Sequence, residues 1–274
     1  MLCGTERAGR ARANPRWFSA CEAASLVAWF CILPPGGIAL NAAPANAVDP
    51  FIAAIETLKH SVGSMDCLAV NGAEAKLLKR IGSAFLISES GDFLTAAHVV
   101  MDMQKGNDSC PTPAITLPTG DWHPEAPTEN MLWFPFKTED CSVDNAVDVA
   151  QCRPSGDLPA RIRKLHLKAV QFEWNIPPNG TQVAFAGFPL EARDPMTFRA
   201  HVAAYRGEWL DERKPELVLD HSSLPGFSGS PVFLADGKVV AVLVRDGKPE
   251  ADGTAIARPV EVLRKVLGER LQRQ

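Results

Sequence analysis

From residue 81 onward the chain alternates short β-rich runs with turn residues, and this rhythm constrains the fold more than any other feature. The runs are Ile81–Ile87, Phe93–Ala97, Ala114–Leu117, Val147–Cys152, Gln182–Ala186, Ala200–Trp209, Glu216–Leu219, Val232–Leu234 and Lys238–Val244. Between them stand Ser90-Gly91-Asp92, Pro178-Asn179-Gly180 and Ala235-Asp236-Gly237, residues that fit tight turns. Helical spacing occurs only near the ends. Phe51, Ile52, Ile55 and Leu58 share one helical face, and Val260, Leu263, Leu267 and Leu271 form a stripe after Pro259. Many short strands with helices confined to the ends predict an all-β sandwich or barrel. Its 274 residues, 46% hydrophobic, are enough to fill a core in one large or two small domains.

Two segments depart from this rhythm. Residues 103–145 read as an irregular insertion carrying Trp122, Trp133, Phe134 and Phe136. A loop of that length is usually functional or ordered by a crosslink. At the front, Arg7, Arg10, Arg12 and Arg16 precede an apolar run, Ala24–Leu33, and a small-residue segment ending Ala45-Asn46-Ala47. That order predicts a secretory signal peptide over residues 1–47, with a mature chain from Val48. An uncleaved anchor is the other reading, although the apolar run is short for a membrane span.

Cysteine usage points the same way. Cys3, Cys21 and Cys31 leave with the leader, and Cys67, Cys110, Cys141 and Cys152 remain. Four cysteines in an exported chain predict two disulfides, against the alternative of free buried thiols. The pairing expected here is Cys110–Cys141, closing the long insertion, with Cys67–Cys152. No C-x-x-C spacing suggests a metal site. The net charge of −4 gives no basic surface for nucleic acid.

Three segments carry candidate chemistry. Thr95-Ala96-Ala97-His98 places a histidine after a β-run, which alone is weak. Asp148-Val149-Ala150 opens an apolar run that carries a carboxylate inward, with Asp144 as a rival. Leu224-Pro225-Gly226-Phe227-Ser228-Gly229-Ser230-Pro231 is the most specific: it sets one serine in a glycine-flanked turn. A serine hydroxyl must lie beside a base to act as a nucleophile. Glycines let backbone N–H groups converge on a developing oxyanion.

Together these segments resemble trypsin-like (chymotrypsin-fold) serine peptidases, in that fold's chain order of His, Asp, Ser. Ser230 resembles the bacterial glutamyl-endopeptidase branch. Gly82-Ser83-Ala84-Phe85 and Ala186-Gly187-Phe188-Pro189 are similar to two further segments of the family. The resemblance spans roughly Gly82 to Pro259. It implies two six-stranded antiparallel β-barrels with the active site between them and a C-terminal helix over 259–272. The first barrel would cover about 62–153, the second about 164–258, and the linker would fall near Pro154–Arg163.

The resemblance also implies roles. His98, Asp148 and Ser228 would form the catalytic triad, and the N–H groups of Gly226 and Ser228 the oxyanion hole. Ser222, Leu243, Val244 and Thr254 would line the substrate pocket. Ser222 stands where members cutting after basic residues carry an Asp, which argues against Arg or Lys, while Leu243, Val244 and Thr254 suggest a small or medium apolar residue. His221 and His201 leave room for a Glu preference. Phe227 replaces the Asp that pairs with a new amino terminus in digestive members, so activation by that ion pair is not expected. The expected function is a secreted or periplasmic serine endopeptidase acting on a protein or peptide substrate. It would need no cofactor or metal, bind no nucleic acid and keep no stable membrane insertion after leader removal, and its oligomeric state is open. The alternative is a catalytically silent binding protein on the same fold, its cleft closed by the 103–145 loop.

Overall fold

A computed structural model describes residues 49–72, 74–105, 110–118, 131–156, 160, 162, 164–165, 167–189, 192, 194–206, 215–246 and 253–267. The expected leader, Trp122, Trp209 and Leu271 lie outside these residues. The chain opens with helix α1 (Pro50–Leu58), whose start is set by Asp49: its carboxylate accepts the Phe51 N–H at 2.9 Å, and Pro50 stands in the first turn. The helix buries Phe51, Ala54 and Leu58, while Ile52, expected on the same stripe, is exposed.

A seven-stranded antiparallel sheet follows. Its strands are β1 (Val62–Asn71), β2 (Glu74–Leu86), β3 (Phe93–Thr95), β4 (Thr112–Pro118), β5 (Met131–Pro135), β6 (Ser142–Asp144) and β7 (Val149–Cys152), in the spatial order β5-β4-β1-β2-β3-β7-β6. The second half closes into a six-stranded barrel of β8 (Gln182–Gly187), β9 (Met196–Arg206), β10 (Glu216–Leu219), β11 (Pro231–Phe233), β12 (Val239–Asp246) and β13 (Ala255–Pro259). The first half thus has seven strands where the resemblance implied six. A last helix, Val260–Leu267, begins directly after β13. Pro259 ends the strand rather than opening the helix.

Where a run was bounded by Gly, Asn or Asp, its strand lies close to the expected place. The described residues of the insertion over 103–145 are instead largely regular: β4 and β5 add to β1 as a ladder, Ile115 pairing with Phe134. The expected Ala114–Leu117 run is the centre of β4, whereas β5, which ends at Pro135, was not expected, because proline suits only positions where a ladder N–H is not needed. Helix α2 (Ala97–Lys105) also went unforeseen; it starts where the Phe93–Ala97 run was expected to continue.

The disulfides differ from the expected pairing. They are Cys67–Cys110 and Cys141–Cys152, with Cα separations of 4.8 and 4.3 Å. Strand pairing brings the partners together. Antiparallel pairing of β1 with β4 sets Cys67 opposite Pro113, and the chain just before β4 places Cys110 against Cys67. Pairing of β6 with β7 sets Ser142 opposite Gln151, which leaves Cys141 and Cys152 side by side. Closing loops of 43 and 11 residues contributes about 4 and about 3 kcal/mol on a chain-entropy model.

The turn before β3 is held by one nearly buried carboxylate. Asp92 accepts from Arg153 Nε at 2.7 Å and Nη2 at 3.2 Å, and from the hydroxyls of Ser88 and Ser90, each at 2.9 Å. Burial alone would raise its pKa, but the bonds from Arg153, Ser90 and Ser88 together outweigh it and hold the group below its ordinary value. A carboxyl with a lowered folded pKa stabilises the fold above its unfolded pKa, and that stabilisation is lost as pH falls through the folded value. Asp92→Asn is therefore expected to cost roughly 1–3 kcal/mol at neutral pH. Denaturant midpoints measured down to acid should show the gap to wild type closing; a gap that stays constant with pH contradicts the assignment.

Candidate active site

Asp148 lies between β6 and β7 and has φ 57°, the one non-glycine positive φ among the described residues. Aspartate tolerates this left-handed conformation better than most side chains. It turns the carboxylate onto the first turn of α2. There Oδ1 accepts the His98 backbone N–H at 3.0 Å, and the ring Nδ1 lies 3.1 Å from Oδ1 and 2.9 Å from Oδ2. The Asp148 carbonyl also accepts the Ala97 N–H at 3.2 Å. The rival Asp144 is spent locally, accepting the N–H groups of Ala146 and Val147 at 2.8 and 3.2 Å.

Ser228 comes from the segment between β10 and β11. Pro225 and Gly226 (φ 100°) occupy the centre of a turn closed by Phe227 N–H to Leu224 C=O at 3.1 Å. Proline then glycine with positive φ is the pattern of a type II turn. Within this segment the N–H groups of Phe227, Gly229 and Ser230 are bonded to the carbonyls of Leu224, Leu243 and Phe227. Those of Gly226 and Ser228 have no acceptor among the described residues. Two unspent donors therefore flank the serine, which is the requirement for binding an oxyanion.

The turn is anchored from two sides. Phe227 is fully buried, edge-on to Phe185 at 5.3 Å and tilted against Phe198 at 5.3 Å. Aromatic packing thus holds the position where an ion pair would otherwise be expected. Ser83 on β2, also fully buried, donates its N–H to the Ser228 carbonyl at 2.8 Å and its hydroxyl to the Gly226 carbonyl at 2.7 Å; the same hydroxyl accepts the Phe188 N–H at 2.8 Å. Gly82 and Gly229 permit this approach: a Cβ on Gly229 would lie 2.0 Å from the Ser83 carbonyl oxygen, and one on Gly82 would lie 2.8 Å from that of Ser228.

His98, Asp148 and Ser228 border one cavity of about 430 Å³, together with Ser223, Leu224, Pro225, Val244 and Arg245. Ser228 Oγ donates to the Val244 carbonyl at 3.3 Å, a long bond.

The expected pocket residues fare unequally. Val244 borders the cavity, where its carbonyl accepts the Ser228 hydroxyl, but its side chain is fully buried in the larger core, while Leu243 is fully buried in the apolar interior of the closed barrel. Strand alternation explains the difference, since neighbouring residues on β12 point to opposite faces. Ser222 is exposed, and neither it nor Thr254 borders this cavity. His221 stacks on Phe198 at 4.9 Å, and His201 pairs with Asp220 through Nδ1 at 3.1 Å; neither borders the cavity either. Sequence reasoning missed Ser223, Ser83 as a positioning group, and Arg245. The glycine beside Ser83 was a usable signal for it, whereas Ser223 and Arg245 carried none.

The chain matches the family model of the trypsin-like peptidase domain over residues 82–242. No curated protein sequence matches it. Among solved structures it is similar to the HtrA-type protease AlgW with decapeptide: 14% identity, TM-score 0.60, covering 81% of this chain and 67% of that one. It is similar as well to the same protease with tripeptide, at 15% identity and TM-score 0.57, covering 81% of this chain and 64% of that one. At such identities the likeness is one of fold, and the chain spans about two thirds of the length of those structures.

Proposed function

The chain belongs to the trypsin-like peptidase domain family of serine endopeptidases, and from that premise we propose that it is exported and cleaves peptide bonds through an acyl-enzyme on Ser228. The single observation that carries this reading is the His98–Asp148 pair sharing one cavity with a serine flanked by two unspent backbone donors.

In this reading Ser228 Oγ turns from the Val244 carbonyl toward the imidazole by a rotation about χ1, a hop between staggered wells. Catalytic hydrogen bonds are often long before substrate binds. His98 takes the Oγ proton as the oxygen attacks the scissile carbonyl. The carbonyl oxygen becomes an oxyanion held by the N–H groups of Gly226 and Ser228. His98 then returns the proton to the leaving amine, the C–N bond breaks, and an ester on Ser228 remains. Water, activated by the same imidazole, hydrolyses that ester. Asp148 holds Nδ1–H and stabilises the imidazolium throughout. Activity falls toward acid pH, because a protonated imidazole cannot accept a proton.

The Pro225-Gly226 turn and the buried Phe227 support competence without an amino-terminal ion pair. The proposed substrate is a protein or peptide. Leu224 and Pro225, exposed at the cavity, favour a small or medium apolar residue at the cleaved bond. Two disulfides support an oxidising compartment, periplasmic or extracellular. Among the described residues no helix is long and apolar enough to cross a membrane.

The test is hydrolysis of a peptide library by purified wild type and Ser228→Ala. Wild type should cleave with a defined preference, and Ser228→Ala should lose activity by about 10⁶-fold. Equal cleavage by both, or none by folded wild type, removes the reading.

A further inference from the structure

We propose that Arg258 is a positioning residue for the His98–Asp148 pair: it reaches from the second barrel to the backbone just before Asp148, fixes that residue's left-handed conformation, and sets the field in which His98 takes up a proton. The inference rests on the reading of His98 as general base.

Arg258 lies on β13 and is 3% exposed. Its Nε donates to the Val147 carbonyl at 2.8 Å, and Nη1 donates to the Pro215 carbonyl at 3.1 Å and to Glu216 Oε1 at 3.3 Å. The Val147 carbonyl belongs to the peptide plane whose nitrogen is that of Asp148, so holding it fixes the Asp148 φ. The plane on the other side of Asp148 is held by the bond from Ala97 N–H to the Asp148 carbonyl. One plane is pinned from each half of the molecule. A residue at φ 57° persists only where its surroundings over-determine it. Loss of the Arg258 contact frees the plane that faces the second barrel.

The charge acts beside the geometry. Glu216 is the nearest counter-ion, but it also receives Arg245 Nη2 at 2.9 Å and lies 3.8 Å from Arg206 Nη1. One carboxylate therefore faces three guanidinium groups. Burial lowers the Arg258 pKa and Arg245 adds to that, while Glu216 and Asp148 oppose it, so the guanidinium lies within electrostatic reach of Asp148. Its positive field favours the Asp148 anion and opposes a second positive charge on the imidazole. The other charges around the pair are Asp144 at the end of β6, Asp102 and Lys105 on α2, and Arg245 on the cavity wall.

A purely structural arginine would affect stability without moving the imidazole titration. The test follows the His98 ring by NMR in the Ser228→Ala background, where no catalysis is needed. Arg258→Met should raise the titration midpoint by at least about half a pH unit, and Glu216→Gln, which removes the counter-charge, should lower it. Arg258→Lys keeps the charge but loses the planar fork. It should hold the midpoint near wild type while reducing kcat roughly ten- to hundredfold in the otherwise native enzyme. If Arg258→Met fails to fold, Glu216→Gln and Arg258→Lys decide the matter. An unmoved midpoint in Glu216→Gln, or wild-type kcat in Arg258→Lys, overturns the proposal. Absence of hydrolysis by wild type would instead strike the peptidase reading, and the titration would still judge Arg258.

Discussion

Asp148→Asn is expected to lower kcat by about 10⁴-fold while leaving the fold intact. The hydrogen bonds around the carboxylate give the reason. The His98 backbone N–H donates to Oδ1, so the oxygen of an introduced carboxamide is drawn to that position. Its NH₂ group then takes the place of Oδ2, which lies 2.9 Å from the imidazole Nδ1. A donor there forces Nδ1 to accept, so the ring proton moves to Nε2. A protonated Nε2 cannot take the Ser228 proton. The loss should fall on kcat, because nothing that binds the ground-state peptide has changed. Steady-state kinetics with a thermal melt would check this. A loss of less than tenfold, with the melt unchanged, would remove Asp148 from its proposed role.

Gly229→Ala should cost stability heavily for the addition of a single methyl group. The new Cβ would lie 2.0 Å from the Ser83 carbonyl oxygen and 2.4 Å from Thr95 Oγ1. Neither can retreat cheaply: Thr95 Oγ1 donates to that same carbonyl at 2.7 Å, and the Ser83 N–H is bonded to Ser228. The backbone adds its own penalty at φ 91°. Steric clash and backbone strain together should cost roughly 3 kcal/mol or more. Gly180→Ala is the control, because φ there is 83° but nothing lies within 4 Å of the new Cβ. It should lose only the backbone part, about 1–2 kcal/mol. Chemical denaturation of both variants separates the two contributions, and equal losses would show that the contact with β2 is softer than described.

Much of this is legible in the amino-acid sequence alone. Strands bounded by Gly, Asn or Asp were located well, because those residues mark turns by a local mechanism. The nucleophile segment was legible for the same reason, since proline, glycines and serine each have a backbone role there. What escaped depends on contacts distant in sequence. The disulfide pairing follows from β4 lying beside β1 and β6 beside β7, which no local pattern encodes. The edge strand β5, which ends at Pro135, was masked although its neighbour β4 was not. Arg258 sits on β13, a strand the hydrophobic pattern did not reveal, and its partners Val147 and Glu216 are 111 and 42 residues away. Leu243 and Val244 are apolar neighbours on one strand, and only the closure of the barrel tells that each side chain is buried, Leu243 inside the barrel and Val244 in the larger core.

The central claim is that the Ser228 hydroxyl is activated by an imidazole in the folded protein. A fluorophosphonate reacts with serines so activated, and peptide mapping by mass spectrometry locates the adduct. The account predicts one phosphonyl group on the peptide containing Ser228, absent after unfolding and absent in His98→Ala. An intact, folded wild-type protein that carries no adduct, or carries it on another residue, would contradict it.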